Sequence, residues 1–151
     1  MVTISYNVEA GSLMKKVTGI SGIFFKSSNP GVLKKWYEKN LGLVTNEYGS
    51  LFEFRQADHP RKKGYLQWSL FPQKTSYFSP SAKPFMINYR VENLGSLVKE
   101  LRKNGVKILD EIEKFEYGKF VYIMDPEGNK IEFWEPINGV FTKRYDGKTT
   151  R

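Results

Sequence analysis

The residue in this sequence with the clearest chemical potential is Glu132, in the run Lys130-Ile131-Glu132-Phe133-Trp134. In an extended strand, alternation turns its carboxylate away from the face that carries Ile131 and Phe133, and so into whatever hollow lies opposite the helices. A carboxylate there can act as an acid-base or hydrogen-bonding group, with a raised pKa unless a cation lies close. The plainer reading is a structural carboxylate satisfied by a buried partner such as Arg90. His59 is the only histidine, in Asp58-His59-Pro60-Arg61. That setting is a turn-rich loop between strands, where a solvent-exposed side chain is expected rather than a base or metal ligand. With no cysteine, thiolate nucleophiles, disulfides and zinc-thiolate sites are excluded. The sequence holds no phosphate-cradling glycine loop, no Gly-x-Ser-x-Gly elbow and no histidine placed to partner a serine nucleophile. The segment Thr75-Ser76-Tyr77-Phe78-Ser79-Pro80-Ser81 reads as a linker. Its alternative role is a lid whose hydroxyls and aromatics meet a ligand.

The elements that position these residues come in duplicate. A shift of 64 positions lays Asn29 on Asn93, Gly31 on Gly95, Leu33 on Leu97, Lys35 on Lys99, Lys39 on Lys103 and Asn40 on Asn104. The same shift lays Phe25-Lys26 on Tyr89-Arg90, Gly64 on Gly128 and Pro72 on Pro136. Each unit opens with a β-branched and aromatic stretch (20 to 26; 85 to 91) that reads as a buried strand. A helix follows. Asn29 caps the first, Pro30 suits its first position, and Leu33, Trp36, Tyr37 and Leu41 recur at helical spacing before Gly42. Asn93 caps the second; Leu94, Leu97, Val98 and Leu101 form its stripe, and Asn104-Gly105 ends it. Three strands finish each unit, near 43–47, 51–56 and 65–71, then 106–110, 115–124 and 130–135. Gly49-Ser50 and Asp125-Pro126-Glu127-Gly128 are the expected turns. The fold class is therefore α+β: two tandem units whose sheets curl into an open, barrel-like cup, with the helices outside. The cup is the expected ligand site.

Length and composition bound the rest. At 151 residues the chain suits one domain with a real core, and eleven Phe and nine Tyr argue against disorder. The expected organisation is an extension over 1–16, a domain over 17–136 with units at about 17–73 and 83–136, and a basic tail over 137–151. The net charge of +8 attracts anions, but it is spread over short clusters such as Arg61-Lys62-Lys63 and Lys143-Arg144. No nucleic-acid motif accompanies them, so nucleic acid is not the expected partner. No apolar run is long enough to cross a bilayer, and a cytoplasmic location with no membrane partner is expected.

A strand, a helix and three strands, repeated, resembles the vicinal oxygen chelate superfamily of glyoxalase I, extradiol dioxygenases and bleomycin-binding resistance proteins. The resemblance lies in two stretches: Ile23-Phe24-Phe25-Lys26 through Trp36-Tyr37-Glu38-Lys39-Asn40-Leu41-Gly42-Leu43, and Asp125-Pro126-Glu127-Gly128-Asn129-Lys130-Ile131-Glu132-Phe133-Trp134-Glu135-Pro136. Metal-using members of that superfamily imply ligands at the positions held here by Gly22, Trp68, Met86 and Glu132. The 64-residue shift pairs these positions in the same way. Only Glu132 can bind a hard cation, because glycine has no side chain, indole offers only a donor and a thioether is soft. No metal ligand set and no cofactor are therefore expected. The alternative is a metal-dependent lyase, isomerase or dioxygenase that uses Glu132 with Gln67, Glu135 or His59.

Counting by twos along the same faces adds Phe24, Asn88, Arg90 and Trp134 to Trp68 and Met86 as ligand-binding candidates, with Glu132 as the catalytic candidate. Such a cup suits a flat or partly apolar small molecule with an anionic or carbonyl group. The resemblance is also compatible with a homodimer.

Overall fold

The computed structural model describes residues 16–151. The two strand-opening stretches form β1 (Val17–Ser27) and β5 (Phe85–Val91), which lie antiparallel at the centre of the sheet. Each is followed by a capped helix. In α1 (Pro30–Leu41) the Asn29 side chain accepts from Val32 N at 3.1 Å, and Gly42 closes the helix in the left-handed conformation at φ 70°. In α2 (Leu94–Lys103) Asn93 accepts from Ser96 N at 3.2 Å, and Gly105 at φ 74° ends the turn after Asn104. These are the caps that the asparagines and glycines predict.

The remaining strands are β2 (Thr45–Asn46), β3 (Gly49–Gln56), β4 (His59–Pro72), β6 (Lys107–Ile108), β7 (Glu113–Phe115), β8 (Gly118–Met124) and β9 (Lys130–Pro136). They make one curled, open sheet in the order β2-β3-β4-β1-β5-β9-β8-β6, with β7 pairing β8. Each unit places its last strand parallel to its first, β4 beside β1 and β9 beside β5.

Three local expectations shift. The first turn is Glu47-Tyr48, and Gly49 already opens β3 at φ 126°, where a Cβ would collide with the Trp68 carbonyl. The strand expected over 115–124 is divided by a turn at Glu116-Tyr117 into the hairpin β7 and β8. His59 is not in the loop but begins β4, paired with Gln56 and exposed.

The helices pack unequally. Leu94, Leu97 and Val98 of α2 are buried against Val91, Val121, Ile123 and Phe133. No residue of α1 is buried, although Tyr37 reaches the sheet by tilting against Trp68 at 4.6 Å. A second cluster, Phe24, Phe78, Met86 and Tyr122, fills part of the opposite, concave face. Residues beyond Pro136, expected as a basic tail, form α3 (Asn138–Tyr145), whose Phe141 ring lies 4.8 Å from Trp134 and 5.7 Å from Tyr65. The chain then returns to β3, with Thr150 N donating to Leu51 O at 2.8 Å and Thr149 Oγ1 donating to Glu53 at 2.7 Å. Among the described residues no helix is long and apolar enough to cross a membrane.

Candidate functional site

Strand register decides which side chains share the concave face. On β5 and β9, Asn88 lies opposite Glu132 and Arg90 opposite Trp134, while Tyr89 and Phe133 turn to the α2 side. On β1 and β4, Phe24 lies opposite Ser69. Phe24 is the repeat partner of Asn88, so the counterpart of Glu132 in the first unit is Ser69, not Trp68. The stretch from Phe24 to Ser69 is one residue longer than that from Asn88 to Glu132, and a one-residue slip exchanges the faces of a strand. Trp68 therefore faces the helices, 5.7 Å from Phe25 and 4.6 Å from Tyr37, and does not line the cup. Gln67, Ser69 and Phe71 take its place.

The other expected positions are filled by packing. A Cβ at Gly22 would lie 2.6 Å from Phe24 Cζ and 2.7 Å from Asn88 Cβ, so the Phe24 ring and Asn88 occupy the space a longer side chain would need. Met86 is fully buried in the cluster with Phe24, Phe78 and Tyr122.

Glu132 is 2% exposed, and its partners are not the one expected. Tyr77 Oη donates to Glu132 Oε2, and Asn88 Nδ2 donates to Oε1. Tyr122 Oη lies 3.1 Å from Tyr77 Oη. Lys130 Nζ donates to the Tyr77 carbonyl at 2.7 Å and stands 4.3 Å above the Tyr122 ring. Burial pushes the Glu132 carboxyl above its usual range, opposed by bonds from Tyr77, Asn88 and Tyr122 and by the Lys130 charge. Burial, then the Glu132 charge, raises the Tyr77 and Tyr122 phenols, and burial lowers Lys130. Arg90 instead donates to Asn138 Oδ1 at 3.1 Å, with its guanidinium pKa lowered by burial.

Tyr77 belongs to the segment between the units, so that segment does more than connect. Its Tyr77 ring stacks on Phe71 at 5.1 Å and 8°, and its Phe78 is fully buried. Together they fill the second unit's share of the concave face and leave a cavity of about 440 Å³ over the first. Phe24, Gln67, Ser69 and Phe71 form its floor, Tyr77 one side, and the Glu47-Tyr48 and Tyr117 turns its rim. Helix α3 closes the remaining side with Phe141, Arg144 and Tyr145. Arg144 Nη2 donates to Glu116 Oε1 at 2.7 Å.

Of the ligand-binding candidates, the structure sets Phe24 in the cavity floor. Met86, Asn88, Arg90 and Trp134 are buried on the same face without lining this cavity. Sequence reasoning overlooked Tyr117, Phe141, Arg144 and Tyr145, and for the segment that holds Tyr77 it preferred a linker to a lid whose hydroxyls and aromatics meet a ligand. The spacing of the last three at one helical face was a readable signal. A larger hollow of about 570 Å³, between the end of α2 and β6, has no aromatic residue in its lining.

The metal-using alternative needs Gln67, Glu135 or His59 beside Glu132. Glu135 Oε2 instead accepts from Leu94 N at 2.8 Å, and the Gln67 amide nitrogen is engaged with the carbonyls of Tyr48, Ser50 and Trp68. Among the described residues no group of three or more His, Cys, Asp or Glu side chains gathers.

Comparison with known proteins gives the same architecture. The family model described as Glyoxalase/Bleomycin resistance protein/Dioxygenase superfamily matches residues 28–133. The methylmalonyl-CoA epimerase of Mycobacterium tuberculosis is similar at 20% identity and a TM-score of 0.54, over 85% of this chain and 94% of that one. A methylmalonyl-CoA epimerase bound to methylmalonyl-CoA and NH4+ is similar at 12% identity and a TM-score of 0.57, over 78% and 94%. A Streptomyces coelicolor methylmalonyl-CoA epimerase variant bound to 2-nitronate-propionyl-CoA gives 13% identity, a TM-score of 0.56, and 78% and 96% coverage. These likenesses establish the fold. No curated protein matches the sequence.

Proposed function

Given that the chain belongs to the glyoxalase/bleomycin resistance protein/dioxygenase superfamily, we propose that it binds a small, flat, partly apolar organic molecule in the cavity over its first unit, without a divalent ion. The observation that carries this reading is the donor set. Of the four positions where the superfamily resemblance implies ligands, Gly22 is filled by the Phe24 ring, Met86 is packed in apolar surroundings and Trp68 faces away, while Ser69, which the register sets in the place of Trp68, offers only a neutral hydroxyl already bonded to the Tyr48 carbonyl and Gln67. Glu132, the fourth, has its oxygens engaged by Tyr77 and Asn88. A hard cation requires several oxygen or imidazole ligands, and this set does not provide them. No step is therefore assigned to a metal.

What the remaining residues can do is bind. Phe24, Phe71, Tyr77 and Phe141 offer aromatic faces and edges to a planar ring, and a cavity of about 440 Å³ suits one or two fused rings. The phenols, Gln67 and Arg144 supply orientation.

Two measurements on protein purified without chelators test the reading. Elemental analysis is expected to find far less than one divalent ion per chain. Ligand-observed NMR with para-substituted toluenes is expected to show binding that resists EDTA and disappears in Ser69→Trp, which fills the cavity floor. A stoichiometric ion, with binding abolished by EDTA and restored by a hard cation, would favour the alternative: a metal-dependent lyase, isomerase or dioxygenase using Glu132.

A further inference from the structure

The polar groups deep in the cavity share a property that emerges only when their protons are counted. Tyr77 has one hydroxyl proton, and it is given to Glu132 Oε2. Ser69 also has one, and it is given to the Tyr48 carbonyl; its Oγ accepts from Gln67 Nε2 at 3.1 Å and keeps one lone pair. Gln67 Nε2 stands 3.2 Å from the Tyr48 carbonyl, 3.3 Å from that of Ser50 and 3.2 Å from that of Trp68. Carbonyl oxygens only accept, so the amide nitrogen must face them, and Gln67 Oε1 is the end left over. Three polar side chains of the floor and inner side thus have their donors spent within the protein and keep lone pairs. Tyr122 Oη can use at most one of the two lone pairs on Tyr77 Oη. The one cationic donor of the lining, Arg144, belongs to α3 and is already paired with Glu116, and the phenols of Tyr48, Tyr117 and Tyr145 belong to the turns and to α3, away from the floor.

We propose that the cup selects planar ligands that carry a hydrogen-bond donor, a phenolic hydroxyl above all, and that Tyr77 Oη is the acceptor that reads it. This rests on the cavity being the ligand site and adds the polarity of what enters. It reverses the expectation of an anionic or carbonyl-bearing ligand, which depended on Asn88 and Arg90. Asn88 spends its amide nitrogen on Glu132, and Arg90 is turned to Asn138. Glu132 is then a positioning residue. It does not line the cavity; by accepting the hydrogen bond of the Tyr77 hydroxyl it fixes which way the phenol presents itself. Lys130, bonded to the Tyr77 carbonyl, holds the same residue from its backbone.

The test uses three probes of one shape: p-cresol, which donates; 4-methylanisole, whose ether cannot; and p-toluate, an anion suited to Arg144. In the wild-type protein p-cresol is expected to bind roughly three- to tenfold more tightly than 4-methylanisole, the worth of one hydrogen bond. In Tyr77→Phe that ratio is expected to fall to about one, because the ring and its stacking on Phe71 remain while the acceptor is lost. Taking the ratio within each protein cancels any general loosening of the fold. Equal affinities in the wild type, an unchanged ratio in Tyr77→Phe, or p-toluate as the tightest probe would each overturn the proposal. If all three probes bind and Ser69→Trp expels them without regard to the hydroxyl, the cavity reading stands and the donor rule fails. If none binds, both fail.

Discussion

The two units share a plan and differ in what they have closed. In the second, α2 buries Leu94, Leu97 and Val98, and the concave face beneath is packed with Phe78, Met86 and Tyr122 around a satisfied carboxylate. In the first, α1 buries nothing fully, Val32 and Trp36 are 64% and 52% exposed, and the concave face holds the cavity. The comparison teaches a division of labour in which one copy supplies the core and the other the opening. A duplicated unit permits this because the shared sheet lets the well-packed half support the half that is left hollow.

The largest test of this contrast is Phe78→Ala, which removes the plug of the closed half. It is expected to cost about 3–5 kcal/mol in urea unfolding, the range for a buried aromatic. Next come the repeat partners Leu97→Ala and Leu33→Ala. Leu97 is 2% exposed and Leu33 half-buried, so the first should cost about 2–5 kcal/mol and the second under about 1.5. Equal costs would dissolve the asymmetry.

A finer test is pH. The folded Glu132 carboxyl titrates above its usual 4.5, with burial as the main cause. Between 4.5 and that raised value the native state holds more protons than the unfolded chain, so stability from this group is present at the low end and falls as pH rises. Glu132→Gln should flatten that slope, read as the urea midpoint across the same window. Smallest of all, Trp36→Ser on the exposed face of α1 should change stability by less than about 0.5 kcal/mol.

The repeat, both helices with their caps and the order of the units were legible because they rest on local chemistry: asparagine caps, glycine stops and apolar spacing. The site was less so. Matching Trp68 to Glu132 by a constant offset failed because one extra residue between β1 and β4 shifts the register of β4, so the match of Pro72 to Pro136 holds in the sequence but not in the strand pairing. Tyr77 was ranked low by its setting, since a serine- and proline-rich segment between two units reads first as a linker and only second as a lid. Arg90 was plausible on alternation alone, yet the partner it finds, Asn138, comes from a stretch whose helix the basic composition concealed.

The antiparallel seam between β1 and β5 makes the duplication indivisible. Cleaving the chain between Pro72 and Phe85 would give two fragments, each ending in a long strand with a bare row of amides and carbonyls. Such halves would recombine with each other or polymerise, not survive as separate minidomains. An ancestral single unit would have met the same edge, and pairing with a copy of itself is the simplest way to have covered it.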